Sequence, residues 1–275
     1  MTAKPFVKWT GGKGKLVDQI LARIPDHGTY HEPFVGGGAV FFALHGRHPL
    51  QARLSDANAE LIAAYRTIRQ DPESLTDVLD HIAARHAADP EKTYYEYRDF
   101  SQLSILDDAS LAARFIYLNK AGFNGLYRIN RSGKFNVPSG KKGPRLKLYD
   151  RDNILACSAA LQRVSIECRD YITASEEAQF GDSVYFDPPY APVSATSNFT
   201  AYTANAFNAA DQEHLRDTAL KLKRRGVCVL LSNSTAPLIR ELYSGPDWTV
   251  EEVEVRRGGG AAAESRKNVA ELLIS

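Results

Sequence analysis

"VYFDPPYAP", residues 184–192, is the stretch on which the reading of this chain turns. Val184, Tyr185 and Phe186 form a short β-branched and aromatic run, bounded upstream by Gly181 and Asp182, and so read as a buried strand. The run closes on a carboxylate, Asp187, and on two prolines that cannot donate to a ladder. One reading is a strand terminator followed by a surface turn. The other is a strand end that presents rigid acceptors, with Tyr190 beside them, to a planar group bearing an amine.

Working outward, "RVSIECRDY" and "VCVLLSN" read as further strands, separated by the helical pattern "DQEHLRDTALKLKRRG". Near the start, Thr29 to Phe34 reads as a strand running into "VGGG" at 35–38, after which "AVFFAL" opens a helix. "RLSDAN" is a second strand that ends on an acid, Asp56. "TVEEVEV" and "NVAELLIS" form the last two strands, joined by the Gly/Ala-rich "RRGGGAAAESRK". Between these α/β stretches the period changes. "AELIAAYRTI", "SLTDVLDHIAARHA" and "LAARFIYL" predict three helices, punctuated by Asp71-Pro72 and Asp89-Pro90. "LYRINRSGKFNVP", 126–138, predicts a hairpin. The fold expected is α/β, a Rossmann-like sheet with a helical, hairpin-bearing insert. Its catalytic domain is discontinuous, over 1–58 and 147–275, with the insert over 59–146.

The length, 275 residues, suits one large domain with such an insert. There is no apolar leader and no long uncharged apolar run, so neither secretion nor a membrane span is expected, and the location expected is the cytoplasm. Cys157, Cys168 and Cys228 are scattered and lack metal-ligand spacing, which fits a reducing compartment and predicts no metal. Net charge is +1, yet nine Lys or Arg lie between Arg114 and Lys147 with no Asp or Glu among them. Such a one-sided segment reads as a footprint for phosphates, against the plainer alternative of a solvated basic face.

Three stretches can carry chemistry. "EPFVGGG" puts glycines at a strand-to-helix turn, where backbone can approach a ligand, but it is not a dinucleotide fingerprint. Asp56 lies twenty residues beyond Gly36, where an acid can accept from ribose hydroxyls. "VKWTGGKGKL", 7–16, fails the phosphate-loop pattern; it reads either as a flexible basic start or, through Trp9 and Lys13, as part of a pocket for a nucleoside and a carboxylate. The third is the opening stretch. An exocyclic base amine is a poor nucleophile because its lone pair is delocalised into the ring. If Asp187 and the carbonyl of Pro188 each accept one of its N–H bonds, the nitrogen is drawn toward tetrahedral geometry and the lone pair is localised. Tyr190 can stack on the base.

These residues reach a known family. D-P-P-Y after a Gly-rich turn and a ribose acid resembles the N6-adenine DNA methyltransferases, and the match extends to the Dam type of the D12 class. "KWTGGKGKL", "EPFVGGGAVFF", "LSDANAELI", "LNKAGFNGLYRIN", "GKFNVPSG", "DPPYAPVSATSNFTAY" and "SRKNVAELL" are similar to its segments, in its order. The resemblance implies S-adenosylmethionine as methyl donor, bound by Trp9, Lys13, Asp56 and Asp187, with Phe34 and Gly36 lining the same pocket. It implies Asp187, Pro188 and Tyr190 as catalytic residues and the insert as a target-recognition domain on double-stranded DNA. It further implies GATC as the sequence read, the adenine being flipped out of the duplex. Arg128 would meet a guanine, Leu126 and Pro138 a thymine methyl, and Lys8 and Asn124 would add polar contacts, with Lys141 and Lys142 on phosphates. Asp170 is read equally as a pocket residue or a solvated acid. "SATSNFTAY" resembles a loop that orders on DNA. No obligate protein partner is expected.

The nearest competitors share the D/N/S-P-P-Y/F/W signature: N4-cytosine, RNA and protein-glutamine methyltransferases. Asp at 187 and the long basic insert favour adenine in DNA. C5-cytosine chemistry needs a nucleophilic cysteine, typically after proline; here Ala156, Glu167 and Val227 precede the three cysteines. A catalytically silent DNA-binding relative is opposed by the intact D-P-P-Y, and a nicotinamide oxidoreductase by the missing fingerprint.

Overall fold

Alternation along the central strands sorts the molecule into layers. In the computed structural model, which describes residues 2–48, 50–130, 132–193, 207–256 and 268–275, all four residues of "SVYF" are buried. Tyr185 points into one apolar core, and Val184 and Phe186 into another. Leu230 divides in the same way from Val229 and Leu231, so the sheet separates two cores and needs helices on both faces.

The strands are β1 (Tyr30–Glu32), β2 (Ala52–Asp56), β3 (Val164–Cys168), β4 (Ser183–Phe186), β5 (Cys228–Ser234), β6 (Val250–Arg256) and β7 (Asn268–Ile274), in the order β3-β2-β1-β4-β5-β7-β6. The first five are parallel, while β7 runs antiparallel between β5 and β6. Strand order reverses between β1 and β4, and ligands of such sheets bind outside the carboxyl ends of the strands at that switch point.

The helices are α1 (Val17–Leu21), α2 (Ala39–Arg47), α3 (Ala59–Gln70), α4 (Pro72–Ala88), α5 (Pro90–Asp99), α6 (Asp108–Ala121), α7 (Arg151–Leu161), α8 (Tyr171–Ser175), α9 (Ala209–Arg224) and α10 (Pro237–Leu242). The two Asp-Pro pairs do more than punctuate. Asp71 caps α4 by accepting from Ser74 N, Asp89 caps α5 by accepting from Lys92 N, and each proline takes the first helical position. α3 joins sheet and insert: the Arg66 and Arg69 guanidinium groups donate to the Ile166 and Val164 carbonyls of β3, while its apolar residues share a core with α4 and α6. The expected hairpin narrows to one antiparallel bridge, Ile129 with Phe135, and its Arg131 lies outside the described residues. The strip 194–202, including Phe199 and Tyr202, lies outside them as well, as does most of "RRGGGAAAESRK". Among the described residues no helix is long and apolar enough to cross a membrane.

Candidate active site

Four turns meet at the switch point. The one leaving β4 carries Asp187, whose Oδ1 lies 2.7 Å from Lys13 Nζ; Lys13 is 4% exposed and Asp187 20%. The Lys13 ammonium also donates to the Gly11 carbonyl at 2.6 Å and sits 4.8 Å from the Tyr190 ring centroid. The carboxylate and the aromatic face thus hold the Lys13 cation together. The Ser232 hydroxyl, wholly buried in β5, donates to the same Oδ1 at 2.9 Å and contacts the Tyr185 hydroxyl behind it. Among the described residues no hydrogen bond ends on Asp187 Oδ2 or on the Pro188 carbonyl.

Pro188 is buried and Pro189 exposed. Tyr190 donates its hydroxyl proton to Glu271 on β7 at 2.6 Å, and burial, with the charges of Asp187 and Glu271, holds its phenol well above the ordinary range. Below the turn, Glu32 at the end of β1 is 3% exposed and accepts from the Tyr30 hydroxyl. Burial pushes its carboxyl up to about 8, so it is largely neutral beside Asp187 at pH 7.

The second turn follows β1. Gly36 N donates to Asp56 Oδ2 at 3.1 Å and Asn58 N to Oδ1 at 2.9 Å, so the acid at the end of β2 is oriented by backbone from its own turn and from the turn after β1. Burial raises Asp56 to about 6 against the pull of those N–H groups. Gly36 has φ +47°, and a Cβ there would stand 2.5 Å from the Trp9 indole. The glycine is required by Trp9, which packs over the turn and stacks on Tyr127. Phe34 stacks on Tyr171 at 5.2 Å and meets Phe207 edge-on, forming an aromatic wall. Trp9, Lys13, Phe34, Gly36, Asp56, Asp187, Pro188 and Tyr190 therefore line turns at the carboxyl end of the central strands. Asp170 is exposed and caps α8, accepting from Ile172 N, Thr173 N and the Thr173 hydroxyl; those bonds outweigh its partial burial and hold it below the usual carboxylate range.

The basic insert is thinner than its residue count. Arg114 is 3% exposed, lies 3.6 Å from Glu60 and donates to the Tyr97 carbonyl, so it braces α6 internally. Lys147 pairs with Asp150. Lys134, Lys141 and Arg145 are exposed and Lys142 half-buried. Arg128 is half-buried, with Nε on Asn136 Oδ1 at 2.7 Å and Nη2 on the Asn136 carbonyl. Lys8, Asn124 and Pro138 are exposed and Leu126 half-buried. Buried Asn119 ties this corner together: its amide accepts from Lys8 N and donates to the carbonyls of Lys8 and Gly125.

Sequence reasoning missed Ser232, Glu271, Tyr171, Phe207, Asn119 and a pair of buried amides, Gln212 and Asn233. Polar Ser-Asn-Ser at the end of an apolar strand, 232–234, was the one signal available for the β5 residues. Among the described residues no cluster of His, Cys, Asp or Glu could hold a metal ion.

The profile of the D12 class N6 adenine-specific DNA methyltransferases matches residues 9–257. A type II methyltransferase of Lactococcus lactis subsp. cremoris is 41% identical over 281 residues, covering 99% of this chain and 95% of the relative. A type II methyltransferase of Methanocaldococcus jannaschii is 38% identical over 290 residues, covering 100% and 99%. The DNA adenine methylase of Escherichia coli K12 is 36% identical over 275 residues, covering 98% and 94%.

Proposed function

The chain belongs to the D12 class of N6 adenine-specific DNA methyltransferases, and from that premise we propose that it methylates N6 of adenine within GATC in duplex DNA, with S-adenosylmethionine as donor, after flipping the base into the D-P-P-Y corner. The observation that carries this reading is the arrangement of acceptors. Asp187 Oδ1 is engaged by Lys13 and Ser232, which orients the carboxylate, while Oδ2 and the Pro188 carbonyl accept nothing from the described residues. Two open acceptors beside the Tyr190 ring suit the two N–H bonds of a base amine. An amine inside a stacked pair could not reach them.

S-adenosylmethionine supplies an electrophilic methyl group when bound. The residues present fit it. Asp56, oriented by two backbone N–H groups and half-exposed, would accept ribose hydroxyls; Phe34 and its aromatic wall would flank a planar base; Trp9 and Gly36 would line the turn; Lys13 would meet a carboxylate. Burial, by raising Glu32 to about 8, limits the negative charge it adds beside Asp187 at pH 7.

The insert, 59–146, is proposed as the target-recognition domain. Arg128, braced on Asn136, would read guanine; Leu126 and Pro138 would touch a thymine methyl; Lys8 and Asn124 would add polar contacts, and Lys141 and Lys142 would hold phosphates. Incubation with labelled S-adenosylmethionine and a GATC duplex, followed by nucleoside analysis, tests the reading. Label in N6-methyladenine is expected. Label in cytosine, or none in DNA, would overturn it.

A further inference from the structure

Pro188 and Pro189 have no backbone N–H, and the polar groups that follow Pro188 are held by side chains from other elements. Gln212, in the first turn of α9, donates from Nε2 to the Pro189 carbonyl at 3.0 Å. Asn233, on β5, accepts at Oδ1 from Ala191 N at 3.2 Å. The two amides then meet, Asn233 Nδ2 donating to Gln212 Oε1 at 3.0 Å. Gln212 is 1% exposed and Asn233 wholly buried. Ser234 closes the far side, its hydroxyl donating to the Ala191 carbonyl at 2.6 Å.

We propose that Gln212 and Asn233 are positioning residues for methyl transfer: a one-way amide circuit that holds the Pro189 carbonyl and the Ala191 N–H, just after the reactive residues, and leaves the Pro188 carbonyl as the open acceptor. The polarity runs in one direction only. Asn233 Oδ1 must face the Ala191 N–H, which turns its Nδ2 to Gln212 Oε1 and so aims Gln212 Nε2 at Pro189. Neither amide can flip without setting oxygen against oxygen in a dry site, which is costly. The clamp therefore fixes where the turn points without touching substrate. The inference rests on the reading that Asp187 and the Pro188 carbonyl hold the amine.

Gln212→Met keeps the side-chain length and removes the donor. Misplacing reacting groups by about an ångström costs on the order of 100-fold, so kcat is expected to fall roughly 10- to 100-fold, with KM for DNA and donor affinity within about twofold of wild type. Gln212→Glu gives a second readout. Ionised, the new carboxylate faces the Pro189 carbonyl; protonated, it donates to it. Burial raises the pKa of such an acid, so the activity of this variant relative to wild type should recover as pH falls from 8.5 to 6, a profile that a purely structural role would not produce. Near wild-type kcat in both folded variants overturns the proposal. So does loss of the cooperative thermal transition in both, because the pair would then serve the fold. Wild type and Asp187→Ala in the same assay separate the two levels. If wild type labels no adenine, the functional reading fails; if it does and the Gln212 variants match it, only the clamp fails.

Discussion

Replacing Asp187 with alanine is expected to have two consequences that a third variant can separate. Methyl transfer should vanish, because the carboxylate acceptor is gone. The Lys13 ammonium, 4% exposed, would also lose its counter-charge. The stability cost should be about 1–3 kcal/mol, below the ~3–5 kcal/mol of a fully buried pair because Asp187 retains some solvent. Adding Lys13→Met should restore thermal stability without restoring activity; if activity returned as well, the carboxylate would not be the acceptor. Asp56 offers a second test at this scale. Its folded pKa, about 6, lies above the ordinary 3.8. The charged form accepts hydroxyls best, so donor affinity should weaken as pH falls through about 6. Titration calorimetry across pH 5–8 should show that inflection in the wild type and not in Asp56→Asn.

At the scale of elements, the hairpin corner is where specificity should separate from affinity. Arg128→Ala is expected to lose about 1–3 kcal/mol of discrimination at one guanine, so that duplexes altered at that base are methylated about as well as GATC. An equal loss on every substrate would assign Arg128 to a phosphate instead. Its brace on Asn136 lies within one strip of sequence, so that contact could in principle be anticipated. Others could not. β4 and β5 were legible because parallel strands buried on both faces carry apolar runs, here Val184–Phe186 and Val229–Leu231. α5 was not, since only Thr93 and Tyr94 of its ten residues are buried and no apolar stripe marks it. Asp187, Tyr190, Asp56 and Lys13 stood out by residue type and position at turns. Gln212, Asn233 and Glu271 did not, because each acts on a partner between 21 and 81 residues away and the pairing exists only once the sheet has formed. Arg114 misled for the same reason: a charge in a basic run became an internal brace through Glu60, outside the run.

At the scale of the whole molecule, the exposed cations among the described residues of the basic run are Lys134, Lys141, Arg145 and Lys147. Neutralising Lys141 and Lys142 should weaken binding to every sequence alike and lower the slope of log affinity against log salt by about 2, at ~0.9 per phosphate contact. An unchanged slope would return this loop to the role of a solvated face. The placement of β7 reaches further. β6 pairs with β7 and with no other strand of the described sheet, and β7 supplies the Glu271 carboxylate to which Tyr190 donates. During translation β6 is made before the strand it pairs with, and Tyr190 waits on a residue about eighty positions downstream. Lys13 and Asp187 can meet earlier. The nascent enzyme should therefore remain incomplete at its target pocket until synthesis has passed residue 271.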